Sequence, residues 1–250
     1  MLQAARQTWL RRDPQAQSET VSEVLLGEPL DLLAEQGEWA QVQLIADGYQ
    51  GWIQSECIQS AVLGDWQTVT ALRGHIYQAP SVAAPVLGRL SQGARVILSG
   101  ERTEEDARVW ERLAWPGGWI QRCVFRSLPP TLAELGVEFV GTPYRWGGRS
   151  AWGIDCSGLM QVLHAAYGLQ LPRDSGDQRR ALAQVETPRA GDLAFFPGHV
   201  GLMLDAKRML NSTSYHMAVQ IDTLGEEGGE YGRLLARDLL GFGRPDWRRT

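Results

Sequence analysis

Gly153-Ile154-Asp155-Cys156-Ser157-Gly158-Leu159-Met160-Gln161-Val162-Leu163-His164 places a cysteine between small and polar residues, where a glycine-rich loop runs into an apolar-periodic segment. Leu159, Met160, Val162, Leu163 and Ala166 fall on one face at helical spacing, which predicts a helix over 156–167 with Gly168 as its stop. A thiol at a helix N-terminus meets the positive end of the macrodipole, and that favours the thiolate near neutral pH. Cys156 therefore reads as a nucleophile.

Upstream of this segment, Ser127-Leu128-Pro129-Pro130 reads as a linker. Beyond it Thr131 and Glu134 form a capping-box pattern for a short helix over 131–139. Downstream, strands are predicted over 192–196, 200–204, 208–210 and 218–221, punctuated by Pro197-Gly198 and Asp205-Ala206-Lys207. A helix layer followed by an antiparallel sheet is an α+β arrangement.

The first half of the chain is different in texture. Short β-type segments alternate with Gly, Pro and Asp, and Gly51-Trp52-Ile53-Gln54 recurs as Gly118-Trp119-Ile120-Gln121. An earlier tryptophan, Trp39 or Trp110, opens an alternating apolar strand before each copy (Val42 and Leu44; Leu113 and Trp115), and a cysteine-bearing turn follows each. That repeat predicts two small β-barrels in tandem, with the tryptophans filling their cores and residues 101–108 as an inserted charged loop. The domain plan is 1–64, 65–127 and 128–250.

Composition narrows the function classes. The 250 residues carry 24 Lys and Arg against 29 Asp and Glu, a net charge of −5 without long runs of one sign, so neither nucleic acid nor a membrane surface is an expected partner. No stretch approaches the length of a membrane span, and the first residues lack the apolar core of a secretory signal. The expected location is cytoplasmic, or secreted if a leader was removed. Cys57, Cys123 and Cys156 are too few for a disulfide framework, which fits a reducing compartment. Nothing in the sequence speaks to oligomeric state.

A cysteine nucleophile needs a base, and the base needs a third group to fix its tautomer. His75 falls in the second barrel, and His164 is expected to be a partly exposed helix residue. His199, opening the strand after the Pro197-Gly198 turn, is the best base. One strand, a tight turn and a return strand bring Asn211 or Ser212 alongside it, so Asn211 is assigned as the orienter, with His216 as the alternative. An amide oxygen accepts from an imidazole N–H as a carboxylate would.

Gly141-Thr142-Pro143-Tyr144-Arg145-Trp146-Gly147-Gly148, Asp155-Cys156-Ser157-Gly158, Leu171-Pro172-Arg173-Asp174-Ser175, Gly191-Asp192-Leu193 and His199-Val200-Gly201 occur in the order and spacing of the NlpC/P60 cysteine peptidases. The resemblance covers 131 to about 247. Residues 18–62, and more weakly 70–126, resemble bacterial SH3 domains through Trp-x-x-Val followed by Gly-Trp-Ile. Together these imply two SH3-like barrels followed by a papain-like α+β catalytic domain. The implied activity is hydrolysis of the γ-D-glutamyl–diamino acid bond in murein peptides with a free N-terminal L-alanine.

By the same resemblance, Tyr144 and Asp155 line the pocket beside Cys156, Ser157 contacts the D-glutamyl part, and Asp174 and Ser175 receive the substrate amine. A barrel over one end of the cleft would exclude glycan-linked peptides, with Tyr49 as its contribution and Glu28 behind it. Backbone N–H groups at the start of the Cys156 helix would hold the oxyanion, so no metal and no cofactor is implied. In the family the third member is most often histidine, where this chain has Asn211. Rival readings keep the fold for amidase or acyl-transfer chemistry, or make the protein a wall-binding module with a vestigial catalytic half.

Overall fold

The computed structural model describes residues 2–247, which divide into two compact units, 2–128 and 129–247. The first unit is built on two antiparallel sheets. Strands β1 (Leu2–Ala4), β2 (Thr8–Arg11), β3 (Thr20–Val24), β4 (Pro29–Gln36), β5 (Trp39–Leu44), β6 (Gln50–Gln54) and β7 (Ile58–Ser60) are ordered β3-β2-β6-β5-β4-β1-β7. Strands β8 (Trp66–Thr68), β9 (Arg73–Tyr77), β10 (Val86–Ser91), β11 (Arg95–Glu105), β12 (Arg108–Trp115) and β13 (Trp119–Gln121) are ordered β10-β9-β13-β12-β11-β8. Shifted by seven labels, the second order repeats the first from β3 to β1.

Alternation in sequence explains the faces. Along β5, Ala40, Val42 and Leu44 are fully buried while the intervening Gln41 and Gln43 are not, which is the two-residue period of a half-buried strand. Trp110 is enclosed in the second sheet's interior. The repeated Gly-Trp-Ile has a steric cause. A Cβ on Gly51 would stand 2.6 Å from Leu10 Cγ and 2.8 Å from the Arg11 carbonyl; one on Gly118 would stand 2.7 Å from Ile76 Cγ2 and 2.8 Å from the Tyr77 carbonyl. In both sheets the glycine lies where a neighbouring strand passes too close for any side chain.

Residues 101–108 are not a loop. Strands β11 and β12 continue as a ladder, Glu105 opposite Arg108 and Thr103 opposite Trp110, closed by Asp106 and Ala107 at φ of 49° and 62°. Charge masked a hairpin: Glu101 and Arg112 pair across its exposed face at 3.1 Å, and a two-residue turn with positive φ suits the twist of the ribbon.

The second unit opens with α1 (Leu132–Val137), whose capping box is formed: Glu134 N–H donates to Thr131 Oγ1 at 3.2 Å and Thr131 N–H to Glu134 Oε2 at 3.0 Å. A short ribbon of β14 (Arg149–Ser150) and β15 (Gly153–Ile154) leads into α2 (Cys156–Ala166). The chain continues through α3 (Ser175–Ala181), β16 (Ala183–Val185), β17 (Leu193–Phe196), β18 (His199–Met203), β19 (Arg208–Thr213), β20 (Ala218–Thr223), α4 (Gly229–Asp238) and β21 (Gly241–Arg244). The six strands form one antiparallel sheet ordered β16-β21-β17-β18-β19-β20, and α2 packs against β18 and β19.

The outer edge of β20 is covered by the glycine-rich loop. Val219 N–H donates to the Thr142 carbonyl at 2.8 Å, Gly141 N–H to the Val219 carbonyl at 2.9 Å, and Tyr144 N–H to the Met217 carbonyl at 2.9 Å. This pairing satisfies an open sheet edge and places Tyr144 beside the start of α2. Among the described residues no helix is long and apolar enough to cross a membrane.

Candidate active site

Asp155 occupies the N-cap of α2 in extended conformation and accepts from Gly158 N–H at 2.7 Å, so the sequence that starts the helix also presents Cys156 at its first turn. Its other oxygen accepts from Gly147 N–H at 2.8 Å, tying the glycine-rich loop to the helix start. Cys156 is buried, and the backbone N–H groups of Val200 and Ser157 favour its thiolate form. The thiolate expected from the helix terminus alone does not follow. Burial, with the Asp155 carboxylate beside it, pushes the thiol up to about 12, and the N–H donors and Arg173 only partly offset this.

Opposite α2, His199 opens β18, and its Nε2 lies 3.0 Å from Asn211 Oδ1 on β19. Gly201 makes this possible. A Cβ there would meet Met209 Sδ at 2.4 Å and Asn211 Cβ at 3.0 Å, so only a glycine leaves Asn211 room to reach diagonally along the sheet. Burial lowers the His199 pKa below its ordinary value, while the Asn211 bond and the Asp222 carboxylate pull it back up. Asn211 Nδ2 in turn donates to Asp222 Oδ2 at 2.8 Å, and His216 Nε2 lies 3.1 Å from Asp222 Oδ1. His216, the alternative orienter, thus meets Asp222 instead of being bonded to His199.

Cys156 and His199 line one cavity of about 450 Å³, with Tyr144 and the exposed Trp146 on one side and Tyr215 and Tyr231 among its other walls. Burial first, then the Cys156 and Asp155 charges, pushes the Tyr144 hydroxyl up to about 12, so it stays a donor at neutral pH. The Tyr215 and Tyr231 rings stack 4.3 Å apart, and the Tyr231 hydroxyl lies 2.7 Å from Thr213 Oγ1. A neighbouring cavity of about 520 Å³ shares the Phe196-Pro197-Gly198 turn and is lined by Ser175, Arg179 and Arg180.

Asp155 and Ser157 are buried behind the nucleophile and take Arg173: Nη1 donates to Asp155 Oδ1 at 3.1 Å and to Ser157 Oγ at 2.8 Å, and Nη2 to Asp155 Oδ2 at 2.5 Å. Their polar atoms face inward instead of lining the cavity, because the helix start needs an N-cap and the cap needs a counter-charge. Asp174 is exposed at the N-cap of α3 and Ser175 begins that helix. Tyr49 and Glu28 belong to the first unit. Tyr49 packs against that unit's core, and Glu28 Oε2 accepts from Leu25 N–H at 2.9 Å.

His164 is fully buried, contrary to the expected partial exposure: its Nδ1 lies 2.7 Å from the Met160 carbonyl and its ring stacks on Trp247 at 5.5 Å. Sequence reasoning missed Arg173 and Asp222 as partners of the site. Arg173 lies in a motif whose acidic and hydroxyl residues drew the attention, and Asp222 lies on a strand predicted to end at 221. Among the described residues no three His, Cys, Asp or Glu side chains converge closely enough to hold a metal ion.

The profile of the NlpC/P60 family matches residues 141–233, the span that contains Tyr144, Cys156, His199 and Asn211. The second unit carries an NlpC/P60 cysteine peptidase domain. A bacterial dipeptidyl-peptidase SH3 domain profile matches residues 10–58, so an SH3-like domain precedes the NlpC/P60 domain. The gamma-D-glutamyl-L-lysine dipeptidyl-peptidase of Bacillus subtilis is 28% identical over 225 residues, 82% of this chain and 76% of that protein. Dipeptidyl-peptidase 6 of Lysinibacillus sphaericus is 26% identical over 260 residues, 94% of this chain and 95% of its own length. An NlpC/P60 family protein from Bacillus cereus shares the fold with a TM-score of 0.78 at 21% identity, over 97% of this chain and 98% of that one.

Proposed function

We propose that the protein hydrolyses the γ-D-glutamyl–diamino acid bond of murein peptides that carry a free N-terminal L-alanine. The observation that carries this reading is the His199–Asn211 hydrogen bond on the wall of the cavity that also contains Cys156. Asn211 accepts the Nε2 proton, which leaves Nδ1 as the base. The resting thiol, raised by its burial, gives its proton to His199 as Sγ attacks the γ-carbonyl carbon. The imidazolium then protonates the leaving amine, and water activated by the neutral imidazole hydrolyses the thioester.

The names of two relatives support the choice of bond, since both are dipeptidyl-peptidases and one is named for a γ-D-glutamyl-L-lysine bond. Tyr144 lines the pocket that holds Cys156, and its hydroxyl can donate to the substrate. Asp174 and Ser175 are assigned to the substrate amine because an exposed carboxylate is the natural partner of an ammonium. Asp155 and Ser157 act through Arg173 to hold the nucleophile. The shared order of six strands in the two N-terminal sheets supports a tandem pair of SH3-like barrels, with boundaries near 64 and 127.

The test is digestion of L-Ala-γ-D-Glu-diamino acid tripeptide beside its N-acetylated form. The expected result is release of the diamino acid from the free peptide only, and none with Cys156→Ala. Equal cleavage of both peptides removes the amine requirement, and undiminished turnover by Cys156→Ala removes the mechanism.

A further inference from the structure

We propose that Asp222 is a positioning residue of this site, which fixes the Asn211 amide and, through it, holds the His199 ring as the Nε2–H tautomer. The inference rests on the reading of His199 as the base and Asn211 as its orienter. An asparagine amide can present either its oxygen or its nitrogen to a neighbour, and a strand position alone does not choose between them. A carboxylate does choose, because it can only accept. With Asp222 Oδ2 2.8 Å away, Asn211 must present its NH2 to β20, and its oxygen then faces His199. The imidazole must place its proton on Nε2, leaving the lone pair on Nδ1.

The geometry of the sheet builds this chain. Asn211 pairs with Gln220 and Met209 with Asp222, so Asp222 is the diagonal neighbour of Asn211 on the same face. The side chain of Asp222 is only 14% exposed, and its second oxygen is engaged by His216 Nε2 at 3.1 Å, from the turn after β19. One oxygen serves Asn211 and the other His216, so the carboxylate is held from both sides. The titratable groups facing this array are Cys156 from α2, Tyr215 and His216 from the turn, and Tyr231 from α4. The Asp222 charge also favours a protonated His199, against the effect of burial.

Ring-nitrogen NMR on the 15N-labelled full chain, together with the pH profile of kcat/KM on the tripeptide, tests this. The wild-type protein is expected to show His199 as the Nε2–H tautomer. Asp222→Asn can offer Asn211 either a donor or an acceptor, so it should show mixed tautomers, a kcat reduced roughly tenfold or more with little change in KM, and an acid limb moved to lower pH. Asp222→Ser, which removes the charge and leaves room for water, should do the same if the amide variant does not fold. His216→Gln keeps the carboxylate and should keep the tautomer. An Nδ1–H tautomer in the wild type, or an unchanged tautomer and acid limb in a folded Asp222 variant, overturns the proposal. The NMR result does not depend on turnover, so a protein inactive on every peptide would refute the peptidase reading while leaving the role of Asp222 decided by the spectrum.

Discussion

Arg173 and Asp155 form a buried two-pronged ion pair directly behind the nucleophile, with the guanidinium also reaching Ser157 Oγ. Both side chains are almost wholly shielded, at 2% and 7% exposed. The pair thus converts an N-cap into a rigid support for the first turn of α2. Removing Arg173 leaves an uncompensated buried carboxylate, which costs about 3–5 kcal/mol. Arg173→Met is expected to lower the urea midpoint accordingly. Arg173→Lys, which cannot bridge both oxygens, should recover only part of the loss. Equal stability of all three proteins in urea would show that the pair does not support the helix.

Gly201 permits the His199–Asn211 contact sterically, so its replacement should act on catalysis as well as on packing. In Gly201→Ala the new methyl meets Met209 Sδ and the Asn211 side chain. Overpacking of this kind costs about 1–3 kcal/mol. The expected result is a lower thermal midpoint together with a fall in kcat on the tripeptide. Adding Met209→Ala should relieve the packing cost more than the loss of kcat, since Asn211 remains displaced. A double variant with full kcat would limit the role of Gly201 to packing around Met209.

The pH dependence follows from the two reacting groups. Burial lowers the His199 pKa, so the imidazole remains a neutral base below its ordinary value of 6.5. The acid limb of kcat/KM should therefore lie below pH 6.5. The Cys156 thiol, pushed up to about 12, is protonated at rest, and in the free enzyme its alkylation by iodoacetamide should keep rising with pH above neutrality. Peptide mapping separates Cys156 from the exposed Cys123 and the buried Cys57. A plateau of Cys156 labelling between pH 6 and 8 would mean that a thiolate–imidazolium pair forms without substrate.

Much of this site was legible in the sequence because periodicity and punctuation mark it. The capping pattern at Thr131 and Glu134, the apolar face after Cys156 and the turn at Pro197-Gly198 each have a local physical cause. What was not legible depends on long-range pairing. The strand carrying Asn211 reads as ending at Leu210, because Asn211, Ser212 and Thr213 are polar, yet all three are buried by α2 and the sheet around them. The hairpin over 101–108 was hidden by charge that only its cross-strand pairs explain. Asp222 and Arg173 look like ordinary surface charges until the fold brings each to a partner more than ten residues away. The helix terminus beside the thiol is local and visible in the sequence, whereas the burial that raises the thiol is tertiary.

His164 provides the last prediction. It is buried within α2, its Nδ1 faces the Met160 carbonyl, and burial lowers its pKa from 6.5 to about 4. The unfolded chain therefore binds a proton that the folded protein resists. Stability is fully retained above pH 6.5 and falls as the pH drops from 6.5 toward 4, by up to roughly 3 kcal/mol from this residue. His199, lowered in the same direction, adds to the slope. In His164→Leu the neutral packing against Trp247 is largely kept and the titration is gone. Its thermal midpoint should decline less than that of the wild type between pH 6.5 and 4, with the remaining slope assigned to His199 and the carboxylates. Parallel declines for the two proteins would mean that His164 gains its proton without disturbing the fold.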